Sequence, residues 1–247
     1  MPQFVFAWMR SMLSPSNKNS ETFVLVHGGW FGGWCWRGVA DKLRALGHTV
    51  FTPTLTGLGE RSHLASRQVT LKTHAQDIAN VLIYEDLQNV ILLGHSYSGM
   101  PLTLVPELVR ERIKQLIYLD AFVPQNGQCL ADLVEVPVKQ AAEIPWLAPP
   151  PPLSRWHVDD PSIAALIGPR LTPQIVSNQT ERVAFNESNP LPSTYISLTR
   201  NQKSHFIKTA ERLKKLPHWQ IINLDAGHLV MIEDPDLLVD CLQSILN

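Results

Sequence analysis

Residues Asn89 to Gly99 read NVILLGHSYSG. The apolar run NVILLG has the length and composition of a buried strand, and Pro101, Leu102, Val105, Leu108 and Val109 then repeat at helical spacing. A strand, a sharp turn and a helix in that order lift the residue at the apex above the edge of a sheet. That residue is Ser96. The turn needs small residues two before and two after the serine. Gly94 supplies the first; Ser98 occupies the second, with Gly99 just beyond, and serine is small enough to fit. Ser96 is therefore a candidate nucleophile.

Outward from this turn the chain alternates apolar runs with amphipathic ones. TFVLV (22–26), HTVFTPT (48–54), IKQLIYLD (113–120), STYISL (193–198) and WQIINL (219–224) read as further strands. Trp36, Val39, Ala40, Leu43 and Leu46 mark a helix closed by Gly47, and Ala75, Ile78, Ala79, Leu82 and Ile83 a second. Asp234 and Pro235 form a cap and first-turn pair opening a last helix. Apolar strands alternating with helices predict an α/β fold, with a six-stranded, mostly parallel sheet covered on both faces. Core residues then fall in 22–123 and 193–247. Residues 1–21 read as a flexible leader. The segment 124–192 breaks the rhythm and holds twelve of the nineteen prolines. An interruption of that length inside a sheet protein suits an inserted cap over the carboxyl edge of the strands.

A serine hydroxyl needs a base before it can attack. His228, in Ala226-Gly227-His228 directly after the last strand, occupies the position this fold reserves for it. A tetrahedral oxyanion needs two backbone N–H donors. Tyr97, following the nucleophile, provides one, and Gly29, in the glycine-rich loop His27-Gly28-Gly29-Trp30, provides the other. His95 and His27 read as supporting residues of the pocket walls. The acid that orients His228 has two candidates. The loop after STYISL carries no carboxylate and offers only Asn201. One strand earlier, IKQLIYLD closes on Asp120, and a carboxylate ending a buried strand is costly unless partnered. Asp120 is the better candidate, and Asp225 reads as a solvated loop residue. Trp30, Trp146 and Trp156 are candidates for contact with an apolar substrate.

Composition narrows the classes. Across 247 residues Lys plus Arg number 21 and Asp plus Glu 22, giving a net charge of −1 with no basic run. That balance argues against a surface for nucleic acid or anionic membrane. Cys35, Cys129 and Cys241 have neither metal-binding nor redox spacing, which suits a reducing compartment and a cytoplasmic protein. No His, Asp or Glu cluster shows metal-ligand spacing, so no metal is expected. Ser96 at the turn excludes enzymes whose nucleophile there is aspartate.

FVLVHGGWFGGWCW, PTLTGLGERSHL, GHSYSGM, YLDAFVP and the late AGH together resemble the α/β-hydrolase superfamily, and more narrowly the bacterial relatives of the plant methylesterase and hydroxynitrile lyase family. The resemblance runs from Phe23 to the C-terminus and is weakest in the cap. It implies a serine hydrolase without cofactor, acting on small, largely apolar esters, carbamates or lactones. It also implies a homodimer. Plant methylesterases carry the acid after the post-cap strand, where this chain has Asn201, and lack the aspartate that Asp120 provides. Hydroxynitrile lyases need threonine after the first-loop histidine and lysine after the catalytic one; Gly28 and Leu229 stand there, so the lyase alternative lacks both residues. A non-catalytic small-molecule receptor on this fold would keep the same three side chains.

Overall fold

The computed structural model describes residues 20–135, 145–176, 179–188, 190–200 and 204–246. Among the described residues, eight strands follow in chain order: β1 (Thr22–Val26), β2 (Thr49–Phe51), β3 (Val90–His95), β4 (Ile113–Leu119), β5 (Leu147–Ala148), β6 (Gln174–Ile175), β7 (Ser193–Leu198) and β8 (Trp219–Leu224). Six of them form one sheet in the order β2-β1-β3-β4-β7-β8, every neighbouring pair parallel. Five of the six expected strands lie within a residue of their sequence-based bounds. The sixth, β2, is shorter than HTVFTPT suggests, because Thr54 leaves the ladder to accept a hydrogen bond from the Gly33 amide at 2.8 Å.

Side chains alternate across the strands. Phe23 and Leu25 of β1 and Ile91 and Leu93 of β3 face one core, with α1 (Arg37–Ala45) and the C-terminal helix Pro235–Leu246 packed on it. Val24, Val26, Val90 and Leu92 face the other, under α2 (Leu71–Tyr84). A sheet buried on both sides explains why these strands read as unbroken apolar runs. The helix ends follow their local chemistry. Gly47 at φ 93° closes α1, its N–H donating to the Arg44 carbonyl and that of His48 to the Leu43 carbonyl. At the C-terminal helix, Asp234 Oδ1 accepts from the Leu237 amide at 3.0 Å.

The register positions the site. Gly94 pairs with Val26, and Leu119 with His95 on one side and Ile196 on the other, so β1, β3 and β4 end within a residue of one another and β7 runs two residues further. The residues just past them emerge side by side. Ser20 and Glu21, assigned by sequence to the leader, already bond to the residues before β2: Ser20 Oγ donates to the Gly47 carbonyl at 2.8 Å and the Glu21 amide to His48 Nδ1 at 3.1 Å. The rest of the leader lies outside the described residues. Between β4 and β7 the structure adds what sequence did not show, the antiparallel pair β5–β6. It adds also a helix, α3 (Pro161–Ile167), capped by Asp160 Oδ1 on the Ser162 amide at 2.7 Å.

Candidate active site

The chain leaves β3 through a single left-handed residue, Ser96 at φ 53°. A non-glycine residue there is strained and persists only where its surroundings over-determine it. Three contacts do so. The one Ser98 O–H is shared between the carbonyls of Val26 (3.1 Å) and His95 (2.9 Å), and the Phe122 amide donates to the Ser96 carbonyl at 3.1 Å. Ser98 is thus more than small; its hydroxyl ties the turn to β1 and β3. The steric requirement falls one residue later, at Gly99, where a Cβ would lie 2.1 Å from the Phe122 carbonyl oxygen.

Asp120, next past β4, is also left-handed, at φ 42°, its amide donating to the Ile196 carbonyl at 2.8 Å. This turns the carboxylate toward the loop after β8. There His228 Nδ1–H donates to Asp120 Oδ2 at 2.7 Å, leaving Nε2 to accept from Ser96 Oγ at 3.2 Å. The Phe206 ring stacks on the imidazole at 5.4 Å and 19°. The other candidate for the acid, Asn201, lies outside the described residues, and Asp225, read as a solvated loop residue, has a side chain 78% exposed and pairs with Arg200 at 3.0 Å.

His95 and His27 stand behind this line. His95 is 2% exposed, and its Nε2–H donates to the His228 backbone carbonyl at 2.9 Å, with the two rings 4.5 Å apart. Burial first, and the neighbouring His228 second, push its pKa well below the usual histidine range. A neutral His95 buttresses His228 without adding a charge. His27 Nδ1–H donates to the Gly28 carbonyl (2.8 Å) and Nε2 accepts from the Leu55 amide (3.1 Å), which fixes its tautomer.

Burial of His27 lowers its pKa to about 4. The unfolded chain, with histidine near ~6.5, then binds the proton first as pH falls. Native stability should be full above that value and decline toward pH ~4, this group accounting for something of the order of 3 kcal/mol. His74 and His95, also lowered by burial, act in the same direction. Urea midpoints that stay constant across this window would contradict the assignment.

The loop after β1 lies directly against the turn. A Cβ on Gly28 would sit 2.8 Å from His95 Nδ1 and 3.1 Å from Ser96 Cβ; one on Gly29 would sit 3.6 Å from Tyr97 Cβ. The Gly29 and Tyr97 backbones are therefore neighbours beside Ser96. Two anchors here were not singled out in the sequence. His74 of α2 donates from Nε2 to the Thr56 carbonyl and accepts at Nδ1 from the Tyr97 hydroxyl, both at 2.9 Å. Gln174 of β6 accepts from the Trp30 amide at 3.0 Å, and the Thr172 amide donates to the Trp30 carbonyl, also at 3.0 Å. Those bonds hold Trp30 in its left-handed conformation, φ 65°. A buried histidine on an apolar helix face was the available signal for His74; Gln174 had none.

Gln174→Ala should leave the Trp30 amide unpaired and loosen the loop beside Ser96. Displacing one backbone donor indirectly should lower kcat for an aryl ester about tenfold, less than removing a donor outright. An unchanged kcat would show that the loop keeps its shape without Gln174.

The three tryptophans separate. Trp156 is 4% exposed and packs its ring on Trp30 (5.9 Å) and Phe31 (5.4 Å). Trp146, half-buried, has the Arg67 guanidinium 5.7 Å from its ring centre and makes no ring contact with the other two among the described residues. Also among the described residues, no group of three or more His, Cys, Asp or Glu could hold a metal ion, and no helix is long and apolar enough to cross a membrane.

A parallel sheet with a strained serine after its third strand and a histidine after its last defines a class, and comparison with known proteins names it. Residues 23–241 match the alpha/beta hydrolase family. Among similar proteins, a carbendazim hydrolyzing esterase of Nocardioides sp. (strain SG-4G) is 35% identical over 249 residues, covering 90% of this chain and 98% of its own. Methylesterase 4 of Arabidopsis thaliana is 30% identical over 132 residues, 53% of this chain and 50% of its own. Among solved structures, an extracellular alpha/beta-hydrolase from a Paenibacillus species, described as sharing structural and functional homology with tobacco salicylic acid binding protein 2, superposes with a TM-score of 0.77. It is 26% identical and the match covers 91% of this chain and 98% of that one. The chain belongs to the alpha/beta hydrolase family, and within it to the carboxylesterase-type hydrolases.

Proposed function

We propose that this protein cleaves small, largely apolar esters, carbamates or lactones through an acyl-enzyme on Ser96. The observation that carries the reading is the unbroken line from Ser96 Oγ through His228 to Asp120, 3.2 and 2.7 Å long. Ser96 attacks the carbonyl carbon while His228 Nε2 takes its proton, and Asp120 holds the Nδ1–H tautomer and stabilises the imidazolium. The Gly29 and Tyr97 amides hold the oxyanion. His228 returns the proton to the departing alcohol, then deprotonates the water that frees the acid. Residues 124–192 act as a cap, and Trp30, on the loop after β1, and Trp146, within the cap, are the aromatic surfaces offered to an acyl group, with Trp156 backing Trp30. For location we propose the cytoplasm, supported by three cysteines that are all free and buried.

The test is a hydrolysis panel on the purified protein: p-nitrophenyl acetate, the corresponding dimethylcarbamate, a γ-lactone, an anilide and carbendazim, since one relative is named for hydrolysing it. Turnover of the acetate, inhibited by a fluorophosphonate, is expected. No turnover of any member, together with saturable binding of one, would replace this reading with the receptor.

A further inference from the structure

Away from Ser96 the fold forms an open-mouthed cavity of about 310 Å3, within the size range of small-molecule sites. It is lined by Leu116 and Tyr118 of β4, by the starts of β7 and β8, and by Val123 to Gln125 on the chain past Asp120. Ser193 and Trp219, the first residues of β7 and β8, line it, whereas Ser96, Asp120 and His228 all lie past the strands' carboxyl ends. None of those three residues reaches it.

Its walls are aromatic and aliphatic. Tyr118 of β4, fully buried, meets Trp219 with ring centres 5.2 Å apart, and the Tyr118 hydroxyl is already satisfied by Thr103 Oγ1 at 3.0 Å. Phe185, Leu191 and Leu213 add apolar surface.

The charges are arranged by depth. Arg110 and Arg212 are half-buried, and neither meets a carboxylate within 4.0 Å among the described residues. Arg212 spends one N–H on the Val123 carbonyl and keeps its other donors. Glu107 and Glu187 are exposed at the rim. Each is already engaged, accepting from the amides of Asn186 (2.9 Å) and Asn126 (3.3 Å) respectively. A half-buried guanidinium without a counter-charge is unfavourable, and a planar carboxylate suits its fork of donors. The carboxylates at the rim oppose a second negative charge on whatever enters.

We infer that this cavity is a second small-molecule site, which takes a flat apolar body bearing a single carboxylate: the ring lies against Tyr118 and Trp219 and the carboxylate on Arg212. The site stands independently of the reaction at Ser96.

Calorimetric titration of the full-length protein with 2-naphthoate and with neutral 2-naphthamide tests it. One equivalent of naphthoate should bind, with the amide at least about tenfold weaker for want of the charged hydrogen bond. Arg212→Gln should weaken naphthoate by about the same factor and leave the amide unchanged. Leu216 lines the cavity and is 38% exposed, so Leu216→Trp, which adds bulk at the mouth, should abolish binding of both, and p-nitrophenyl acetate hydrolysis should be unaffected in either variant. Should Arg212→Gln fail to fold, Leu216→Trp and the acid–amide comparison decide. Absence of saturable naphthoate binding, equal binding of acid and amide, or undiminished binding by Leu216→Trp would overturn the inference.

Discussion

Ser96→Ala should lower kcat for p-nitrophenyl acetate by about 10⁶ while leaving the fold intact. The change removes one oxygen, whose hydrogen bond to His228 Nε2 is 3.2 Å long. Alanine meets the same backbone strain at φ 53° as serine does, so the turn, held by Ser98 and the Phe122 amide, keeps its shape. Urea unfolding should therefore shift little. Without the nucleophile, His228 has nothing to deprotonate except water, and only the oxyanion donors and binding remain, worth about 10³ over the uncatalysed rate. Retention of more than a small fraction of the activity would remove Ser96 from the reaction.

Asp120→Asn should cost about 10⁴ in kcat. The carboxylate can only accept, so it holds the proton on His228 Nδ1 and leaves Nε2 free to accept from Ser96. An amide can instead turn its NH2 toward Nδ1, which places the imidazole proton on Nε2 and blocks the transfer. It also loses the charge that stabilises the imidazolium. Asp225→Asn serves as the control, because that carboxylate faces solvent and engages Arg200; its rate should match the parent's. A larger loss in Asn201→Ala than in Asp120→Asn would show that the acid has been assigned to the wrong strand.

What could be read from the chain follows from the range of the forces involved. β3 and the serine turn declare themselves locally: a buried strand must be apolar, the turn must be small, and both requirements fall within eleven residues. Asp120 was legible for the opposite reason, since a carboxylate has no place at the end of a buried strand unless something pairs with it. The partner is His228, which the loop after β8 brings to 2.7 Å from Asp120 Oδ2. Ser98 was legible as a departure, though its cause, one hydroxyl shared between two carbonyls across the turn, needed coordinates.

The segment between β4 and β7 resisted reading because β5 and β6 are two residues each, too short to show a period, and each of its prolines removes an amide from any ladder. Gln174 illustrates the limit. It reaches Trp30 across 144 residues, and a glutamine in a proline-rich stretch has no local feature that foretells such a contact. His95 is the intermediate case: sequence put it beside the nucleophile, while its 2% exposure shows it bracing the His228 carbonyl from within the core.

The reaction centre can be tested most directly by treating the protein with a fluorophosphonate and mapping the adduct by peptide mass. The expected result is one adduct per chain, on Ser96, formed by the parent protein and not by His228→Ala. An adduct on any other residue, or continued ester hydrolysis by protein whose Ser96 is fully modified, would contradict it.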